Sequence, residues 1–206
     1  MKTIDLKTML KPLYAASATT PAIIDVPAMN CLMVDGTGEP GGTAFQEAVG
    51  TLYSVAYTLK FSFKKEKAID YPVMALEGLW HADSMDHFLA QKRENWTWTL
   101  FIVLPDVVTR KDVTMAVGNV KKKAKFPRLP EVRFEKFKEG KAAQVMHVGP
   151  YSTERETIDR LHAFVEEQGY RPRGAHHEIY LGDPRRSKPE KLKTILRQPV
   201  ERAAGR

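Results

Sequence analysis

Glu178 and Tyr180 lie two residues apart in the stretch AHHEIYLGD. On an extended chain, residues two apart share a face. His176, Glu178 and Tyr180 therefore point one way, and His177, Ile179 and Leu181 the other. The apolar pair Ile179 and Leu181 nominates its face for the core, which leaves an acid beside a phenol on the opposite face. Such a pair is either solvated decoration or the floor of a site. A carboxylate partly withdrawn from water has a raised pKa. It can attract a lipophilic cation, helped by cation–π contact with an indole, or it can hold a water as a general base. The indoles available are Trp80, Trp96 and Trp98.

Other residues are candidates for the same site. Glu77 is the lone charge in YPVMALEGLW, and Gly78 beside it either leaves room for a ligand ring or marks a bulge. Trp96 and Trp98 share a strand face, with core packing as the alternative to ligand stacking. Tyr151, after a Gly-Pro turn, and Tyr53 and Tyr57, flanking a helical stripe, are candidate walls. His147, just before that turn, is counted with the ligand-binding candidates. The histidines offer no metal site: His176 and His177 are adjacent and face opposite ways, and His147 and His162 lack ligand spacing. No cofactor is expected. Cys31 reads as a buried strand thiol rather than a nucleophile, and no Ser-His-Asp signature is present. The turn GTGEPGG lacks both the dinucleotide glycine pattern and a P-loop lysine, so it reads as a turn.

These residues need elements to hold them. The chain of 206 residues suits a single domain or two small fused halves. Ala22–Val26 reads as an edge strand, and Asn30–Asp35 as a strand closed by the glycine-rich turn. Thr43 can cap a helix reaching about Leu59, whose stripe runs through Phe45, Ala48, Val49, Leu52, Val55, Ala56 and Leu59. Residues 60–70 read as a charged connection, 71–80 as a strand, 81–94 as a long hairpin loop and 96–104 as a strand stopped by Pro105. A second helix opens at Thr109. Strands at 131–137 and 141–148 then precede a helix capped by Thr153 with Glu156. The strand carrying Glu178 and one ending at Pro199 close the chain.

Written this way, the order strand, turn, helix, strand, strand occurs twice, in pseudo-repeat halves at about 22–107 and 130–201, with a linking helix and linker at 108–129. The alignment sets Glu77 opposite Glu178, and a pseudo-dyad would bring both acids towards one groove. The fold class expected is α+β, with antiparallel sheets, helices on one side and a central groove.

The set HVGPYS, EIYLGDP and LKTILRQPV, preceded by DGTGEP, LEGLW and WTWTLFIVLPD, resembles the stand-alone subfamily of the GyrI-like small-molecule-binding domain over nearly the whole chain. The resemblance implies duplicated βαββ units of the SHS2 type. It also implies binding of bulky aromatic, often cationic compounds, with Glu178 as the groove acid. Some stand-alone members hydrolyse cyclopropane-bearing DNA-alkylating compounds. In that chemistry Glu178 would activate a water, and Tyr180 would donate a hydrogen bond to the phenolate that develops as the ring opens. A hydrolase that detoxifies genotoxic compounds therefore stands beside a non-enzymatic multidrug-binding protein or a gyrase-inhibitor-like antagonist of a macromolecule.

Whole-chain numbers bound these readings. The net charge of +7 permits nucleic-acid contact. Its excess lies in Lys121–Arg128 and the C-terminal residues 185–206, without interleaved aromatics, which argues against nucleic acid as a partner. No apolar run approaches the roughly 18 residues that span a bilayer. The single cysteine and a start without a secretory core point to the cytoplasm.

Overall fold

A computed structural model describes residues 1–81, 96–123 and 125–203, so the loop expected at 81–94 lies, apart from His81, outside the described residues. The chain opens with β1 (Lys2–Thr3), α1 (Leu6–Met9) and α2 (Lys11–Tyr14). There follow β2 (Ala22–Thr37), α3 (Thr43–Glu66), β3 (Ile69–Asp70), β4 (Leu76–His81), β5 (Thr97–Leu104) and α4 (Arg110–Lys123). The second half runs β6 (Arg133–Val148), α5 (Glu154–Glu167), β7 (Tyr170–Pro172), β8 (His176–Tyr180) and β9 (Lys193–Arg202). The order strand, helix, strand, strand occurs as β2-α3-β4-β5 and again as β6-α5-β8-β9.

Two pairs of segments that read as separate strands are continuous. β2 runs through Pro27, which costs one donor between the pairs Val26↔Gly140 and Ala28↔Lys138 but leaves the register unbroken. β6 likewise joins 131–137 to 141–148. Their length lets each strand serve two neighbours. β2 pairs with β6 over Ala22–Met33 and with β5 over Asn30–Thr37. β6 pairs with β9 over Ala142–Val148. The order β6-β2-β5-β4-β8-β9 is closed by that last contact, so the antiparallel sheet curls into a barrel. Gly140 helps it curl. At φ 78° it interrupts side-chain alternation, so Glu139 and Gln144, an odd number apart, both reach Arg197.

α3 and α5 lie against the outer face of this sheet. Ala48, Leu52, Val55, Ala56, Leu59 and Phe63 of α3 are buried, and each large one contributes about 1.5–3 kcal/mol by leaving water. On α5, Ile158, Leu161 and Val165 pack with Ala143, Val145, Leu196 and Val200 in a separate cluster. α3 continues through residues 60–66, because Phe63 extends the same stripe. Its N-cap is Gly42 rather than Thr43. At α4, Thr109 and Asp112 cap each other reciprocally. At α5 the expected Thr153 cap bond is not made; the Thr153 hydroxyl donates to the Pro150 carbonyl at 2.9 Å instead. No helix among the described residues is long and apolar enough to cross a membrane.

Candidate functional site

The two βαββ units meet at β4 and β8, in the register Leu76↔Tyr180, Gly78↔Glu178 and Trp80↔His176. Direct cross-strand partners share a face. These six residues therefore form one surface, on the side that carries both helices. Phe45 of α3 stacks on Trp80 at 6.1 Å, and Glu154 at the start of α5 interacts with Glu178. The surface is thus the floor of a groove between α3 and α5.

Glu178 is its centre. Its side chain is 13% exposed. The Tyr180 hydroxyl donates to Glu178 Oε2 at 2.8 Å, and the Trp80 indole N–H donates to the Tyr180 oxygen at 3.2 Å. Burial pushes the Glu178 carboxyl above its ordinary range, and the Tyr180 and Trp80 donors only partly offset this. Burial and the Glu178 charge hold the Tyr180 phenol well above its usual pKa, so it donates hydrogen bonds and keeps its proton. Gly78 makes this possible. A Cβ there would lie 3.2 Å from the Tyr180 hydroxyl and 3.3 Å from Leu100 Cδ2.

The remaining candidates fall into three groups. Tyr151 stands at the groove wall, 41% exposed, with its ring edge-on to Tyr180 at 6.0 Å. Burial and the charges of Glu154 and Glu178 push its phenol up to about 12. Trp80 forms part of the floor, and Trp96 is edge-on to it at 5.7 Å. Tyr53 is half-buried near Leu76 and Asp183, at the rim. Tyr57, at 46% exposure, faces outward beside Tyr53 and Phe61.

Trp98 and His147 do not line the groove. Trp98 is 1% exposed, fills the space above Gly36, and donates its indole N–H to the Gly38 carbonyl at 3.1 Å. It is core. His147 is buried with Nδ1 3.0 Å from the Thr157 hydroxyl and Nε2 3.2 Å from the Pro150 carbonyl. It pins the turn that presents Tyr151.

Glu77 is the main correction. It faces the barrel interior with Ile179 and His177, not the groove with Glu178. A twofold axis normal to the sheet preserves the face, so Glu77 cannot be the counterpart of Glu178. Gly78, one residue along β4, shares the face of Glu178, and a one-residue shift along a strand reverses the face. Inside the barrel Glu77 is 0% exposed. The Tyr14 hydroxyl donates to its Oε1 at 2.5 Å, and its Oε2 stands 3.0 Å from His177 Nε2, an ion-pair approach rather than an aligned hydrogen bond. His177 Nδ1 lies 2.9 Å from Glu139 Oε1, and Arg197 contacts Glu139, Gln144 and the Leu13 carbonyl. Burial opposes the His177 charge, but Glu139 and Glu77 outweigh it and raise its pKa. Burial likewise opposes the Glu139 charge, but His177 and Arg197 hold its carboxyl at about 2. Two carboxylates and two cations balance, with α2 seated over them. This is a structural ion network.

Local patterning does not point to the polar groups around Glu178. Glu154, Thr194 and His176 are 6%, 1% and 5% exposed, and each has a buried polar atom that makes no well-aligned hydrogen bond. Burial, then the nearby Glu178 charge, raises the Glu154 carboxyl, and the Thr194 hydroxyl only partly offsets this. Burial lowers His176 to about 3, so it is neutral. An acid in the first turn of a helix reads as a dipole partner, which hides Glu154. A pocket of about 370 Å³ is lined by residues 37–39 and 42–45, including the Phe45 that stacks on Trp80, and its acid Glu39 is exposed. Among the described residues no cluster of three or more metal-ligating side chains occurs.

The model of the GyrI-like small molecule binding domain matches residues 19–201. No curated protein sequence matches the chain significantly. Three crystal structures from Listeria innocua are similar throughout. One, of an uncharacterised conserved protein, is 42% identical with a TM-score of 0.88, over 96% of this chain and 100% of its own. Two described as hydrolases are 41% and 40% identical, with TM-scores of 0.85 and 0.86, over 96% and 97% of this chain and 100% of theirs. By its matched span and its curled sheet with helices on one side, the chain belongs to the GyrI-like small molecule binding domain family.

Proposed function

We propose that this protein binds bulky aromatic, often cationic compounds in the groove over β4 and β8, and that it hydrolyses cyclopropane-bearing alkylating compounds there. One observation carries the reading. Glu178 is buried among the rings of Trp80, Tyr151 and Tyr180, and among the described residues no lysine or arginine forms an ion pair with it. A buried carboxylate without a cation is costly. A ligand cation relieves that cost, and the surrounding rings supply cation–π attraction and stacking area.

The same carboxylate suits hydrolysis, and two relatives at 40–41% identity are described as hydrolases. A water held by Glu178 attacks the strained ring carbon and gives its proton to the carboxylate. The carbon–carbon bond breaks with its electron pair passing to the conjugated carbonyl oxygen, which becomes a phenolate. As Glu178 takes the water's proton, the Tyr180 hydroxyl that donates to it in the resting site is released to donate to that oxygen, and solvent supplies the phenolate's proton. The elevated Glu178 carboxyl lies closer to neutrality, where a general base is most effective.

The test combines rhodamine 123 binding by fluorescence anisotropy with mass spectrometry of a cyclopropane-bearing alkylator. Glu178→Gln should weaken dye binding by about 10-fold or more, the size of a lost charge-assisted bond, and should abolish the product that carries one added water. Dye binding without product would leave a binding-only protein. Unchanged values for both in Glu178→Gln would overturn the proposal.

A further inference from the structure

Glu154, Thr194 and His176 surround Glu178 from three elements. Glu154 opens α5, Thr194 lies on β9 as the direct cross-strand partner of Tyr180, and His176 lies two residues before Glu178 on its strand. The His176 Nε2 atom is 3.7 Å from Glu178 Oε1, too far for a hydrogen bond. Glu154 Oε1, Thr194 Oγ1 and both His176 ring nitrogens are buried and make no well-aligned hydrogen bond, although Thr194 stands close enough to Glu154 to interact with it. Folded proteins satisfy the great majority of their buried polar groups, so this concentration beside one carboxylate calls for an occupant.

We propose that Glu154 and Thr194 form a polar subsite on the α5 side of the groove, beside Tyr180, which takes the N–H-bearing head of an aromatic cation. This rests on the groove reading above and adds a selectivity to it. Glu154 presents an acceptor oxygen in either protonation state, and the Thr194 hydroxyl accepts while it donates. An amino or iminium N–H can satisfy these atoms. A fully alkylated nitrogen of the same charge fills the space and leaves them unpaired. Sites built to hydrogen-bond a polar group reject the analogue that lacks it. The charge of Glu178 draws the cation in, and the subsite chooses among cations.

Two dyes isolate this choice. Rhodamine 123 and tetramethylrhodamine methyl ester share the xanthene, the ester and the charge, but only the first carries N–H groups. By fluorescence anisotropy, the wild-type protein should bind rhodamine 123 roughly 10-fold more tightly, although the methylated dye is the more hydrophobic. Glu154→Met and Thr194→Val keep the volume and remove the acceptor, and each should bring the ratio of the two affinities towards one. Because the ratio is taken within one protein, a general loss of folding cannot mimic the effect. Glu178→Gln should weaken both dyes and leave the ratio in place. Equal affinities in the wild type, or a ratio that survives both subsite variants, would overturn the subsite. If neither dye binds the wild type, the groove reading itself fails and the subsite with it.

Discussion

Glu77 and Glu178 are strand glutamates one position apart across the same ladder, yet removing their charges should move stability in opposite directions. Burial raises the Glu178 carboxyl above 4.5 in the folded state, so the native protein holds that proton more tightly than the unfolded chain does. The sign follows by linkage. Near pH 4.5 and below, the buried group is protonated and imposes no charge penalty. As pH rises from there towards the elevated value, stability falls by about 1.4 kcal/mol for each pH unit. Glutamine has the same shape and no charge, so Glu178→Gln should gain about 1–3 kcal/mol at pH 8 and nothing near pH 4.5. Glu77→Gln removes one of two carboxylates flanking His177 and weakens the bond from Tyr14. Breaking a buried charge pair costs about 3–5 kcal/mol, and the retained amide oxygen keeps part of the hydrogen bonding. The expected loss is about 2–4 kcal/mol at pH 6. His177 has a raised pKa, so this contribution is fully present below 6.5 and fades as pH rises through the folded value. Urea unfolding of both variants and wild type at pH 4.5, 6 and 8, with m held common, measures these differences. Same-sign changes at pH 8 and pH 6, or a Glu178→Gln gain that does not grow with pH, would refute the assignment of one acid to the groove and the other to the barrel.

Gly78→Ala should reduce rhodamine 123 affinity by several-fold and cost about 1–2 kcal/mol in thermal unfolding, because its Cβ would press on the Tyr180 hydroxyl at 3.2 Å and on Leu100. Arg197→Met should destabilise the fold by about 3–5 kcal/mol at neutral pH in urea unfolding, since it leaves Glu139 with only His177. In the wild type the Glu139 contribution is present above about pH 4.5 and lost as pH falls through about 2. The acid unfolding midpoint of Arg197→Met, followed by circular dichroism, should therefore lie at higher pH than that of the wild type.

Much of the fold was legible because hydrophobic periodicity reports local geometry. The α3 and α5 stripes, the strand alternation around Glu178 and the repeated element order each depend on neighbours a few residues away. Helix ends and strand breaks were less legible. Pro27 reads as a stop, yet it costs β2 only one ladder bond, and Phe63 carries α3 past a run of charges. The site divided in the same way. Alternation alone placed Glu178 and Tyr180 on one face and His177 and Ile179 on the other. Which acid on β4 joins them could not be read locally, because face depends on the register between β4 and β8, and register is a tertiary contact. The structure pairs Gly78 with Glu178 and turns Glu77 inward to His177. Burial decided the rest. It turned Trp98 into core, left Tyr151 at the wall, and drew Glu154, Thr194 and His176 around Glu178 from three separate elements. The sequence by itself determined that an acid and a phenol share a strand face; the closed barrel decided that this face is a groove, because only the packing of α3 on β2 and β5 and of α5 on β6 and β9, on either side of β4 and β8, recesses that acid between two helices.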